Sequence, residues 1–194
     1  MSVKYGLLTL LEQRPMHGYQ LRQEFEASTG ATWPLNVGQV YTTLARLERD
    51  GLIEAAETDG EDENQRVWVI TADGRSAVRT WFATPVHQSS PPRDELAIKL
   101  AMAVRTPGIE VRDVIQAQRS ATMRTMQDYT RAREAAGDDL SWLLVVDSLI
   151  FSAEAEVRWL DHCETRLARA QQTPPSPTPA ADTDAAAVRK APVR

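Results

Sequence analysis

Cysteine is almost missing from this chain. Cys163 stands alone in 194 residues, so no disulfide can close within it. Long apolar runs are missing too. The stretch Leu143–Val146 falls far short of the ~20 residues that a membrane-spanning helix needs. The opening residues, Met1 to Gly6, have no basic region followed by an apolar core and a small-residue cleavage site, so they do not read as a secretory signal. Together these absences predict a cytoplasmic protein without a membrane segment. Positive charge is also in deficit, at a formal net charge of −5. Any contact with a polyanion must therefore come from a local arrangement of basic residues.

Chemistry-bearing constellations are equally scarce. The three histidines do not fall into a Ser-His-Asp order, and no metal-ligand cluster or phosphate-cradling glycine loop is present. His162 and Cys163 are neighbours on one helix and point about 100° apart, so they do not form a metal pair by themselves. Cys163 reads as a small residue beside an apolar stripe. His17 reads as a turn or capping residue. The expectation is a protein that is not an enzyme and carries no cofactor or metal.

What is present is a regular succession of helices. Residues 3–13 place Leu7, Leu8 and Leu11 on one face, and Pro15 ends the segment. A second helix runs from about Tyr19 to Ser28, and Gly30 and Pro34 then bracket a loop holding Trp33. Asn36 caps a third helix from Val37 to Asp50, which Gly51 ends. Residues 52–58 and 66–70 read as two strands of a hairpin, and Thr71 caps a fourth helix that stops before Pro85. Three short helices, a hairpin and a closing helix follow the winged helix-turn-helix order. The predicted fold is mainly α with a small β-hairpin, followed by a helical arm.

In the third helix, Val40, Leu44 and Leu47 share one face, with Val37 at its edge. Gly38, Gln39, Thr42, Ala45, Arg46 and Arg49 share the other, and Tyr41 lies on the flank. Small, hydrogen-bonding and guanidinium side chains on one exposed face suit readout of base edges in a major groove. Tyr41 is placed to reach a phosphate.

The stretches His17-Gly18-Tyr19-Gln20-Leu21 and Val40-Tyr41-Thr42-Thr43-Leu44-Ala45-Arg46-Leu47-Glu48-Arg49-Asp50-Gly51-Leu52-Ile53, with Thr71-Ala72-Asp73-Gly74, closely resemble the PadR-like transcriptional regulators over about residues 3–83. The layout of the later helices is similar to the longer branch of that family, with a helical dimerisation domain. The resemblance implies a homodimeric one-component regulator, usually a repressor, on double-stranded inverted-repeat operator DNA. It implies release by a small aromatic or hydrophobic effector in some members. Carried over by position, Tyr19 and Tyr41 would meet phosphate, and Gln39, Thr42 and Arg46 would lie near the bases. Lys4 would add a phosphate contact, and Arg66 stands at the base of the wing.

One feature departs from that pattern. The wing tip carries Asp59, Glu61, Asp62 and Glu63, and residues 1–83 hold eight Lys and Arg against twelve Asp and Glu. An acidic tip repels phosphate. An alternative therefore stays open, a winged-helix protein–protein adaptor without specific DNA binding.

The domain reading is 1–85 for the winged helix, 86–92 for a Ser/Pro-rich hinge, 93–172 for a helical dimerisation and effector domain, and 173–194 for a disordered Pro/Ala-rich tail. Within the helical domain, Leu140 to about Ala170 carries an apolar stripe that includes Val146, Ile150, Val157 and Leu160 and is broken at Glu164. The second helix of that domain is too small to cover the stripe, so the stripe predicts a partner chain. Trp142 and Trp159 read either as dimer-interface packing or as the lining of an aromatic effector pocket.

Overall fold

The computed structural model describes residues 2–56, 66–86 and 93–172. The acidic wing tip, the hinge with His87 and the Pro/Ala-rich tail lie outside them. The order is α1 (Ser2–Gln13), β1 (Met16–His17), α2 (Gly18–Ser28), α3 (Val37–Arg49), β2 (Ile53–Ala55), β3 (Val67–Ile70), α4 (Ala72–Ala83), α5 (Glu95–Ala103), α6 (Val111–Ala135) and α7 (Leu140–Gln172).

Local chemistry sets these boundaries. Asn36 Oδ1 accepts from Gly38 N at 2.8 Å and caps α3. At the other end Gly51 takes φ +70, the left-handed conformation that closes a helix, and Leu52 N donates back to Leu47 O at 2.9 Å. Thr71 does two jobs. Its hydroxyl accepts from Gly74 N at 3.1 Å to cap α4 and donates to Gly51 O at 2.8 Å. It thereby ties the start of α4 to the end of α3. Gln20 Oε1 accepts from His17 N at 3.0 Å, so the histidine turn opens α2 as a cap position.

The sheet has three strands, not the two of a simple hairpin. Its order is β1-β3-β2, antiparallel throughout, with Met16 opposite Trp68 and Ile53 opposite Ile70. The third strand is the dipeptide Met16–His17, which the sequence reading took for a turn. Leu7, Leu8, Leu11, Leu21, Val40, Leu44, Leu47, Met16, Trp68, Ile70 and Val78 are buried in one core between this sheet and α1 to α4. Trp81 stacks on Tyr5, with ring centroids 5.3 Å apart.

A second core forms where α5, α6 and α7 meet, around Leu100, Ile115 and Leu160. Helices α6 and α7 run antiparallel, as their cross-links show. Arg119 donates to Asp161 at 2.6 Å and to Glu164 at 2.7 Å, Gln118 donates to Glu156 at 2.9 Å, and Arg133 pairs with Asp147 at 3.6 Å. Glu164 breaks the apolar stripe because it is the partner of Arg119.

The side chains expected at the dimer surface pack largely within the single chain. Val146 and Leu160 are 0% exposed, Ile150 is buried and Val157 is half-buried within the single chain. Helix α6 spans 25 residues and lies along α7, so it covers the stripe that the sequence reading left for a partner. The apolar side chains left outside on α7 are instead Leu140, Leu144 and Phe151.

Candidate nucleic-acid interface and interdomain cavity

Helix α3 presents its two faces as its sequence pattern requires. Val40, Leu44 and Leu47 are buried, while Gly38, Gln39, Thr42, Ala45, Arg46 and Arg49 are exposed. Val37 lies outside the core face and is exposed. Tyr41 is half-buried on the flank, its ring against Gly18. A side chain at Gly18 would start 3.0 Å from that ring, so the glycine lets α2 and α3 approach closely.

The basic residues divide into two groups. Lys4 Nζ donates to Asp50 Oδ2 at 3.3 Å, and Arg66 Nη1 donates to Glu48 Oε1 at 3.3 Å. Arg66 also lies over the Trp68 ring at 5.4 Å. Arg49 joins Lys4 on Asp50, with Nη2 to Oδ1 at 2.9 Å. These two cations hold the Asp50 carboxyl below its ordinary range, the Arg49 hydrogen bond first and the Lys4 bond second. Two of the three basic residues expected at DNA are thus already paired within the protein. Arg46 differs: no side-chain hydrogen bond or ion pair to it occurs among the described residues, and it is exposed beside Thr42. Tyr19 is exposed at the start of α2, and its hydroxyl accepts from Gln23 Nε2 at 3.3 Å.

The acidic partners Glu48 and Asp50 were not marked by the sequence reading. Lys4 and Asp50 are 46 positions apart and Arg66 and Glu48 are 18 apart, so neither pair has a helical spacing to show it.

A cavity of about 940 Å³ lies between the winged helix and the start of α7. Phe25, Trp33, Trp81, Phe82 and Leu144 contribute apolar walls, and Gln39 reaches it from α3. Trp33, which the sequence places in a loop, is exposed at this cavity. Its position in a loop between Gly30 and Pro34, outside any apolar periodicity, was the available signal.

Trp142 and Trp159 do not share a pocket. They sit 17 positions apart on α7, about 25 Å at ~1.5 Å per residue. Trp142 packs against Gly30 of the winged helix, and Trp159 lines a different cavity beside α5. Among the described residues no cluster of three or more His, Cys, Asp or Glu is arranged for a metal ion, and no helix is long and apolar enough to cross a membrane.

Comparison with known proteins follows this division. Residues 7–80 match the transcriptional regulator PadR-like family, and residues 92–168 match the virulence activator alpha C-term family. A probable transcriptional regulator of Mycobacterium tuberculosis is 24% identical over 185 residues, covering 86% of this chain and 98% of that protein. The crystal structure of Bacillus subtilis PadR in complex with operator DNA superposes with a TM-score of 0.66 at 20% identity, covering 84% of this chain and 97% of that one. The same protein in complex with p-coumaric acid gives 0.68 at 20% identity, covering 88% and 99%. The Vibrio cholerae virulence activator AphA gives 0.64 at 23% identity, covering 87% and 99%.

Proposed function

We propose, from the match of residues 7–80 to the PadR-like family of transcriptional regulators, that the chain is a homodimeric repressor whose α3 reads an inverted-repeat operator. The observation that carries this reading is the outer face of α3. Gln39, Thr42 and Arg46 are exposed together, and among the described residues Arg46 is not held by an acid. An Arg fork pairs with guanine, Gln with adenine, and Thr with phosphate or a thymine methyl. Tyr19 and Tyr41 flank that face as phosphate contacts. Lys4 and Arg66 are secondary, because each must leave an acid to meet DNA.

The effector site in this reading is the cavity between the winged helix and α7. A flat apolar or aromatic ligand fits its walls, and PadR of Bacillus subtilis has been crystallised with p-coumaric acid. Gln39 belongs both to this cavity and to the outer face of α3. A ligand that displaces Gln39, or turns α7 against the winged helix, changes the presentation of α3. The uncovered apolar residues of α7, Leu140 and Phe151, are where a second copy adds cover.

Selection of sheared source DNA on the purified protein, followed by sequencing, tests the proposal. Enrichment of a few fragments sharing an inverted repeat supports it. Recovery at low salt of nothing above background supports the adaptor reading, which the internal pairing of Lys4 and Arg66 favours.

A further inference from the structure

A second cavity, separate from the one between the winged helix and α7, opens between α5, α6 and the end of α7. Its volume is about 860 Å³. Leu100, Val104, Ile115 and Trp159 give it an apolar wall. Among the described residues its charged lining is of one sign: Arg166 and Arg169 reach it beside His162, and none of the described lining residues is an Asp or Glu. That runs against the average of a chain with a formal net charge of −5. The carboxylates next in sequence are engaged elsewhere, since Arg119 donates to both Asp161 and Glu164. Arg166 Nε donates to His162 Nε2 at 3.0 Å, and no ion pair of its guanidinium with an acid occurs among the described residues. Cys163 in the same wall adds no opposing anion, because burial pushes its thiol pKa up.

We infer that this cavity binds a small amphipathic carboxylate, with its hydrocarbon body against Leu100 and Trp159 and its head group on Arg166. The chemistry of the two ends is complementary. Apolar surface leaves water on the inner wall, and a planar guanidinium matches a carboxylate through two parallel N–H···O bonds. A neutral molecule of the same length would gain the first contribution and forgo the second. The site stands independently of DNA recognition and of the proposed effector cavity, with which it shares no lining residue.

Sodium decanoate is titrated into the full chain by calorimetry, with decanol as the neutral counterpart. The expected result is saturable binding of decanoate, with decanol about tenfold or more weaker, as loss of a charge-assisted hydrogen bond implies. Arg166→Gln weakens decanoate to a similar degree and leaves decanol unchanged. Ala101→Trp, which fills the mouth from α5, abolishes binding of both while the helical circular dichroism stays intact. Equal binding of decanoate by the native chain and by Arg166→Gln overturns the inference. So does the absence of any binding, and acrylamide shielding of Trp159 that rises with protein concentration would then identify a second copy of the chain as the occupant.

Discussion

The indole of Trp142 fills the space beside Gly30, so closely that a Cβ on the glycine would lie 2.1 Å from the ring. Gly30 takes φ +56 and Ala31 follows at φ +54, a left-handed pair that curls the end of α2 onto α7. This contact joins the winged helix to the helical arm at the edge of the proposed effector cavity.

Gly30→Ala therefore strains the backbone and collides with the indole. Urea unfolding should show a loss of about 1–3 kcal/mol. Trp142→Ala opens the space, so in the double variant the collision disappears and only the backbone cost of Gly30→Ala remains. Strict additivity of the two single variants would mean that the contact carries no energy.

Thr71 links α3 to α4 through one hydroxyl, which accepts from Gly74 N and donates to Gly51 O. Thr71→Ala should cost about 1–2 kcal/mol in thermal or chemical unfolding. Thr71→Ser retains the hydroxyl and should recover most of that loss.

On α7 the two apolar faces should respond differently. Leu160 is wholly buried in the chain, and Leu160→Ala should destabilise it by about 2–5 kcal/mol. Phe151 is 69% exposed, so Phe151→Glu should leave the fold intact and shift sedimentation toward a single chain. An unchanged dimer would place the interface elsewhere.

Acid should weaken two surface pairings. Glu26 is held below its ordinary 4.5, chiefly by its hydrogen bond from Arg22 and then by that from the backbone of Leu35. Asp50 is held below 3.8 by Arg49 and Lys4. A lowered carboxyl contributes its stability fully above the unfolded value and loses it as pH falls through the folded one. Unfolding midpoints should thus be flat above pH 5 on account of these groups and decline below about pH 4. Glu26→Gln should reduce that decline.

Much of this architecture was legible because its helices are strongly periodic and sharply capped. Val40, Leu44 and Leu47 announce the buried face of α3, and Asn36 and Gly51 announce its ends. The strand Met16–His17 was not legible, since two residues carry no alternation and exist as a strand only through pairing with Trp68 and Val67. The stripe on α7 is legible as apolar from its spacing, and its cover within the chain is α6. Periodicity tells which face is covered, and length alone could not show that α6 reaches along it. The pairing of Lys4 with Asp50 and of Arg66 with Glu48 depends on tertiary placement, and so does the division of Trp142 and Trp159 between two places.

The most direct test of the central claim is the affinity of native and Arg46→Ala protein for the selected operator, measured by fluorescence anisotropy at fixed salt. Arg46 has no structural partner among the described residues, so its removal should leave the melting temperature unchanged. The account predicts a loss of roughly 10- to 100-fold on the operator, from about 1–3 kcal/mol for one base contact, with a smaller effect on unrelated DNA. Equal affinity of the two proteins for the operator would contradict the claim that α3 reads its sequence.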